Sequence, residues 1–148
     1  MTTGADASIH ASAVLVGDRA VLIRGPSGSG KSRLAFDLIL AGRAGQLPLT
    51  TLIGDDRVRL TDRSGRLIVR GVPELAGMIE IRGLGIRTID FAAEAAVGVV
   101  VDLDATDAER LPPPEALKTL VSGLEIARIP VARGYGALPL VLAFLTTV

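Results

Sequence analysis

The sequence predicts an α/β fold in which a mixed β-sheet is flanked by helices. Strand-type segments rich in β-branched and aliphatic residues alternate with segments whose apolar residues recur at helical spacing. Apart from Asp102, the run from Ala96 to Leu103 is continuously apolar, which is typical of a strand buried on both faces. The segment from Gly25 to Gly30 lies between a predicted strand and a predicted helix and is too rich in glycine and serine to form either. With 148 residues, 49% of them hydrophobic, the chain is predicted to be one domain over residues 1–148.

The first half of the chain begins with a predicted hairpin and a helix. Ser8 to Val16 and Ala20 to Arg24 are predicted strands joined by a turn at Gly17. Lys31 to Ala41 has helical spacing, and Gly42 is a natural stop.

The later elements are predicted from the same two periodicities. In chain order they are a short apolar run at Thr51 to Ile53, a hairpin of Arg57 to Thr61 with Arg66 to Arg70, a strand at Met78 to Arg82, the buried strand at Ala96 to Leu103, a short helix at Glu115 to Ser122, a strand at Leu124 to Val131 and a terminal helix at Leu138 to Thr147.

Composition excludes several classes of function. The 16 basic and 16 acidic residues cancel, and aromatic residues make up 3%, so neither broad attraction to nucleic acid nor an RNA-stacking surface is expected. The absence of cysteine excludes thiolate metal sites and suits a reducing cytosol. The first residues lack a signal-peptide pattern, and the apolar stretch from Leu138 to Val148 is too short to cross a bilayer. We expect a cytoplasmic protein that binds neither nucleic acid nor membrane.

Residues 25–32 read Gly-Pro-Ser-Gly-Ser-Gly-Lys-Ser and match the phosphate-loop motif G-x-x-x-x-G-K-[ST] in full, between a predicted strand and a predicted helix. Loop amides and the helix N-terminus direct positive partial charge at a bound phosphate. Lys31 adds a full charge at the β- and γ-phosphates of a nucleoside triphosphate, and the Ser32 hydroxyl can ligate Mg²⁺. The candidate nucleotide-binding residues are Gly25, Pro26, Ser27, Gly28, Ser29, Gly30, Lys31 and Ser32. The motif specifies phosphate binding rather than a reaction.

An acidic pair, Asp55 and Asp56, follows the short apolar run after the predicted helix. Phosphoryl transfer needs a carboxylate near Mg²⁺, and often another that accepts the proton of an attacking hydroxyl. Two adjacent aspartates can divide these roles, but spacing does not say which takes which. A solvated turn after Gly54 is the alternative interpretation.

Three further residues are candidate site residues, although an ordinary structural role would explain each of them. Glu80, at a strand position beside a glycine-rich turn, can ligate a metal ion, and Arg82 can neutralise phosphate. An ordinary strand with a tight turn explains both equally well. His10, the only histidine, precedes the phosphate loop closely enough to reach the phosphates, but a lone histidine is more often packed or on the surface.

Together these residues resemble the C-terminal catalytic domain of HPr kinase/phosphorylase. The matching segments, in chain order, are IHASAVLV with His10, the phosphate loop GPSGSGKS, the acidic segment GDDRVRL, the family's signature run EIRGLGI at Glu80 to Ile86, and Ile89-Asp90 after it. The resemblance covers residues 8–105 well and the rest weakly. It implies the variant phosphate-loop fold shared with phosphoenolpyruvate carboxykinase.

The activity implied by this resemblance is an ATP- and Mg²⁺-dependent kinase for a serine of an HPr-type phosphocarrier protein, with a reverse reaction that uses phosphate. The family forms hexamers, which implies a homo-oligomer. The implied catalytic residues are Asp55 or Asp56 as the general base, Lys31 and His10 at the transferred phosphate, and Arg110 as the counterpart of a family arginine between signature and tail. The implied metal-site residues are Ser32, Glu80 and Asp56.

Two departures from the family pattern qualify this expectation. Longer members carry an N-terminal domain, whereas this sequence begins almost at the catalytic region, as short alphaproteobacterial members do. The family tail reads Pro-Val-x-Pro-Gly-Arg-Asn, a segment tied to dephosphorylation, whereas Pro130 to Gly136 reads Pro-Val-Ala-Arg-Gly-Tyr-Gly. Kinase activity is therefore better supported than phosphorylase activity.

Two other functions stay open at this point. A small-molecule kinase or NTPase would need a substrate lid, and the sequence has no long insertion that would supply one. A nucleotide-sensing regulatory module with little turnover would need the loop but no base, and the acidic pair argues against it.

Overall fold

The computed structural model describes residues 7–148. Two expectations, the lack of a signal peptide and the start of the domain at residue 1, concern residues outside this range. The strands are β1 Ala7–Ile9, β2 Ser12–Val16, β3 Arg19–Arg24, β4 Thr50–Gly54, β5 Val58–Arg63, β6 Arg66–Gly71, β7 Met78–Ile81, β8 Gly85–Thr88, β9 Glu94–Asp102, β10 Lys118–Val121 and β11 Leu124–Pro130. The α-helices are α1 Lys31–Arg43 and α2 Ala137–Thr146.

A mixed sheet, as predicted, organises the fold, with strand order β1-β5-β6-β9-β3-β2-β4. Its long strand β9 runs parallel to β3 along one edge. Along the other edge its first half pairs antiparallel with β6 and its second half pairs parallel with β11, which carries β10 beyond it. Strands β7 and β8 form a separate two-stranded hairpin. The sheet therefore forks at β9.

Two apolar layers lie on opposite faces of this sheet. Helices α1 and α2 cover one face, where Leu38 and Val141 pack with Val101 of β9. The β5–β6 hairpin curls over the other face, where Val100 of β9 packs with Val69. Successive residues of β9 thus belong to different layers, which is why its sequence is apolar without alternation.

Most predicted elements are confirmed within a few residues, including both hairpins, the buried strand and two of the three predicted helices. The stop at Gly42 is wrong, because α1 continues to Arg43. A Cβ on Gly42 would lie 2.8 Å from Thr50 Oγ1 and 2.9 Å from the Thr50 amide nitrogen. This glycine lets α1 approach β4 closely rather than ending the helix.

Two other predictions need correction. The single strand at Ser8 to Val16 is broken by a bend at His10, because β1 pairs with β5 while β2 pairs with β3 and β4. The helix at Glu115 to Ser122 is wrong: Pro114–Leu117 is one 3-10 turn and the rest is β10. Pairing with β11 across a tight turn at Ser122 overrides the local helical pattern.

The short strand β8 was not predicted from the sequence. All of its residues are exposed, so it has no alternation of apolar and polar residues that would indicate a strand. Within residues 7–148, none of the helices is long and apolar enough to cross a membrane.

Candidate functional site

The phosphate loop connects the end of β3 to the start of α1, as predicted. Gly30, immediately before α1, has φ 100°, a conformation that favours glycine. A Cβ on Gly25 would lie 2.5 Å from Ser29 Oγ and 3.0 Å from Leu103 Cβ, so the loop is closely wrapped. The buried Ser29 hydroxyl has no hydrogen-bond partner among residues 7–148. An unpaired buried hydroxyl in such a loop fits a ligand that accepts hydrogen bonds, as a phosphate oxygen does.

Lys31 is largely buried beneath this loop, with a relative exposure of 9%. Its Nζ donates to the carbonyl oxygens of Gly25 and Pro26, at 2.9 and 3.1 Å. Within the described chain, α1 starts without a side-chain cap and has no acidic residue in its first turn. The positive end of the helix dipole is therefore uncompensated next to a fixed ammonium group, an arrangement suited to a polyanion.

Asp55 has both carboxylate oxygens committed to hydrogen bonds. Its Oδ1 accepts from the hydroxyls of Ser12 and Ser32, both at 2.7 Å, and its Oδ2 accepts from the Glu80 amide at 3.0 Å. Only 5% of the residue is exposed. Asp55 thus links Ser32 of the phosphate loop to strand β7 through hydrogen bonds. Because it is buried and its oxygens are already bonded, it is poorly placed to take a proton from a substrate.

Asp56 is exposed beside it and has φ 67°. Its amide donates to Ser12 Oγ at 3.3 Å, which fixes the backbone while leaving the carboxylate on the surface of the cleft. A positive φ is uncommon for a residue other than glycine, although aspartate tolerates it. The two adjacent carboxylates therefore differ in environment, since Asp55 is buried and Asp56 is exposed in the cleft.

Glu80 and Arg82 lie on the β7–β8 hairpin and line the same cleft. Within residues 7–148, no three histidine or acidic side chains cluster closely enough to hold a metal ion by themselves. A Mg²⁺ ion at this site would therefore depend on the Ser32 hydroxyl, one or two carboxylates and phosphate oxygens. Such a donor set is usual for Mg²⁺ bound with a nucleotide.

The cleft that unites these groups has a volume of about 1170 Å³. It is lined by the phosphate loop from Ser27 to Ser32, by the end of β7 with Arg82 after it, and by the segment before α2. Its polar and charged lining includes Lys31, Ser32, Arg33, Asp37, Asp56, Glu80, Arg82, Asp104 and Tyr135.

A family model described as the HPr Serine kinase C-terminal domain matches residues 2–135. The chain belongs to this family. An HPr kinase/phosphorylase of Mycoplasma mycoides subsp. mycoides SC is 44% identical over 80 residues, 54% of this chain and 23% of that protein. One of Geobacillus kaustophilus is 35% identical over 111 residues, 70% of this chain and 33% of that protein.

A solved structure of the Hpr(Ser) kinase/phosphatase from Coxiella burnetii matches with a TM-score of 0.74 at 24% identity, covering 94% of this chain and 93% of that chain. At this identity the match establishes the HPr serine kinase fold. The chain spans about a quarter to a third of the length of the two curated relatives above, 23% and 33%.

Two residues assigned by resemblance to the HPr serine kinase family lie apart from the cleft lining. His10 is exposed at the bend between β1 and β2, two residues before Ser12. Arg110 is exposed in the segment between β9 and the 3-10 turn. Neither is among the described residues that line the cleft. The role of His10 at the phosphate and the catalytic role of Arg110 stay predictions.

Ser12 is a site residue that the sequence analysis missed. It is fully buried, and its hydroxyl contacts Asp55 Oδ1 while accepting from the Asp56 amide. A lone serine within the apolar run SAVLV was the available signal, because a buried hydroxyl needs a partner.

An ion-pair network anchors the strand ends next to the phosphate loop of this HPr serine kinase domain. Asp102, at the end of β9, accepts from Arg24, which precedes the loop, and from Arg128 of β11, with N···O distances of 2.6–2.8 Å. Burial by itself would raise the pKa of Asp102, but the hydrogen bonds from Arg24 and Arg128 outweigh it and leave the pKa lowered. The ionised carboxylate thus contributes to stability.

We expect Asp102→Asn to lower the free energy of unfolding by about 2 kcal/mol near neutral pH. This is less than the roughly 3–5 kcal/mol for a broken buried pair, because the Asp102 side chain is 17% exposed and partly screened by water. A carboxyl with a lowered folded-state pKa stabilises above its unfolded pKa of about 4, and this contribution fades as pH falls further. Urea unfolding of both proteins from pH 7 to pH 3 should show the difference shrinking below about pH 4.

Asp18→Asn, at an exposed turn position, is the matched control and should show little change. A difference between Asp102→Asn and the unsubstituted protein that stayed constant across this pH range would contradict the role given to the charge.

Proposed function

We propose that this HPr serine kinase domain transfers the γ-phosphate of ATP to a serine of an HPr-type phosphocarrier protein. The observation that carries the proposal is the acidic pair. Asp55 is hydrogen-bonded to the phosphate-loop Ser32, while Asp56 is exposed in the same cleft with no side-chain partner among residues 7–148. A nucleotide sensor would need the first arrangement but not the second.

Asp56 is the proposed general base. It accepts the proton of the substrate serine as the serine oxygen bonds to the γ-phosphorus and the bond from that phosphorus to the β–γ bridging oxygen breaks. ADP is the leaving group. Lys31 and the amides of the phosphate loop stabilise the charge on the transferred phosphoryl group.

Ser32 and Glu80 are the proposed metal-site residues, and Asp55 orients the Ser32 hydroxyl through the 2.7 Å hydrogen bond. In this proposal Asp56 is the general base, and Asp55 supports the metal site by orienting Ser32. When bound, Mg²⁺ would neutralise charge on the β- and γ-phosphates. The reverse reaction is not part of the proposal, since the tail segment Pro130 to Gly136 departs from the family pattern tied to it.

We also propose that the domain works in the cytoplasm as a homo-oligomer. In α2, Leu140 and Phe144 remain 38% and 44% exposed, and in α1, which packs against α2, Leu40 is 42% exposed. Exposed apolar side chains on packed helices suit a subunit contact.

The test is transfer from γ-labelled ATP with Mg²⁺ to purified HPr of the same organism. We expect a label on HPr that is lost in an HPr variant whose phosphorylatable serine is alanine. An unlabelled HPr, together with tight binding of the Mg²⁺ nucleotide, would overturn the kinase proposal for this partner and favour the regulatory module.

A further inference from the structure

We infer that Tyr135 and Asp104 form the nucleoside subsite of the cleft, with the tyrosine ring stacked on the base and the carboxylate accepting hydrogen bonds from the ribose hydroxyls. The inference rests on the proposed use of a nucleoside triphosphate. It gives the altered tail segment a function that the family pattern does not assign to it.

The sheet order separates the two ends of the cleft. The strand that carries the phosphate loop, β3, has β2 and β4 on one side and β9 and β11 on the other. The acidic pair follows β4, so the reacting phosphate lies on that side. Asp104 follows β9 and Tyr135 follows β11, so both lie on the opposite side. A triphosphate held by the loop with its γ-phosphate toward Asp56 extends its nucleoside toward Asp104 and Tyr135.

Asp104 has a left-handed backbone conformation and lines the cleft. Its φ is 54°, and the residue is half-buried. The backbone is fixed on both sides, because the Leu103 amide donates to the Arg24 carbonyl and the Ala105 amide donates to the Val131 carbonyl, both at 2.9 Å. Within the described chain its carboxylate has no hydrogen-bond or ion-pair partner. An uncommon backbone conformation together with an unpaired polar side chain is typical of ligand sites.

Asp104 lies in a turn that directly follows β9 and is not part of a β-hairpin. Two of the other positive-φ residues that are not glycine, Ser64 and Ser122, each precede a glycine in a tight hairpin turn. The remaining one is Asp56, the proposed base. Asp56 and Asp104 thus share an unusual conformation and line the same cleft.

Tyr135 presents a large ring at the same end. The residue is 70% exposed and lines the cleft between Gly134 and Gly136. Its amide donates to the Ala132 carbonyl at 3.0 Å, which closes a turn and limits the positions of the ring. Because every base has a π-face, an exposed aromatic ring beside a phosphate site binds purines with little selection among them. We therefore expect ATP and GTP affinities within a few-fold of each other.

Titration calorimetry of the chain with Mg²⁺-ATP and with Mg²⁺-tripolyphosphate separates the nucleoside from the phosphates. We expect Tyr135→Ala to weaken ATP binding about 10-fold, a value within the range for one base stacked on an aromatic ring. Tripolyphosphate binding should be unchanged. Tyr135→Phe keeps the ring and should bind ATP like the unsubstituted chain.

The ribose contact has its own test in the ratio of ATP to 2′-deoxy-ATP affinity. We expect the unsubstituted chain to prefer ATP and Asp104→Asn to lose most of that preference. The ratio is the required measurement, since removing a negative charge will also strengthen binding of any polyphosphate.

The chain offers a spectroscopic readout as well. Tyr135 is its single tyrosine, and it contains no tryptophan. Intrinsic tyrosine fluorescence therefore reports on this residue alone, and ATP should change it while tripolyphosphate leaves it nearly constant.

The outcomes distinguish this inference from the proposed function. If the unsubstituted chain binds neither ligand, the proposed function fails. If it binds both and Tyr135→Ala weakens them equally or not at all, only the stacking role is overturned. An unchanged ATP to 2′-deoxy-ATP ratio in Asp104→Asn overturns the ribose contact.

Discussion

Asp56→Asn is expected to lower the rate of phosphoryl transfer by about 10²- to 10⁴-fold, the usual contribution of a positioned general base. The amide has nearly the same shape but cannot accept the serine proton. Affinity for Mg²⁺-ATP should be retained or rise modestly, because the substitution removes a negative charge from the cleft. Among residues 7–148, Asp56 makes no hydrogen bond to the phosphate loop, and its backbone is fixed through Ser12 Oγ. Single-turnover transfer and calorimetric titration measure the two quantities separately.

Asp55→Asn is the matched control, since it makes the same chemical change one residue away. Its amide group would place an NH₂ donor against the donors Ser12 and Ser32 or against the Glu80 amide. We expect lower stability and weaker Mg²⁺-nucleotide binding together, in contrast to Asp56→Asn. A different result would reverse the assignment. If Asp56→Asn kept its transfer activity while Asp55→Asn lost it and still bound the Mg²⁺ nucleotide, Asp55 would be the general base.

Lys31→Met is expected to weaken Mg²⁺-triphosphate binding by about 10²-fold or more. The methionine keeps an unbranched apolar stem but loses the ammonium group, and hydrogen bonds from a charged group are worth about 1.5–3 kcal/mol each. In the structure the ammonium group also bridges the Gly25 and Pro26 carbonyls, so the loop loses an internal brace. Calorimetry with Mg²⁺-ATP measures the affinity, and urea unfolding measures the effect on stability.

Lys118→Met is the control for this substitution. Lys118 is the other lysine of the chain and lies exposed on β10. Its replacement should leave nucleotide affinity unchanged. Equal losses in the two variants would indicate a general electrostatic effect and contradict the phosphate contact assigned to Lys31.

The phosphate loop was predictable because all of its residues are consecutive, so the motif and its function are both local. The hairpin of β5 and β6 was predictable for a similar reason, since alternation and a short turn specify it. Strand β10 was not, because its partner β11 supplies the backbone hydrogen bonds that a local pattern cannot anticipate. The bend at His10 likewise arises because β1 and β2 pair with different strands.

The different environments of Asp55 and Asp56 could not be predicted from the local sequence. Asp55 and Asp56 are identical in type and adjacent, so no pattern distinguishes them. Their difference comes from Ser12, Ser32 and Glu80, which lie 43, 23 and 25 residues from Asp55 in the sequence.

By itself the sequence determined a phosphate-binding loop between a strand and a helix, a mixed sheet around it and the resemblance to the HPr serine kinase domain. These follow from short-range patterns of glycine, charge and apolar spacing. The tertiary structure alone decided which aspartate is buried and which is exposed to the cleft, and it placed Asp104 and Tyr135 together. Both results depend on the order in which strands pair, because hydrogen bonds and packing between distant segments determine where each side chain lies.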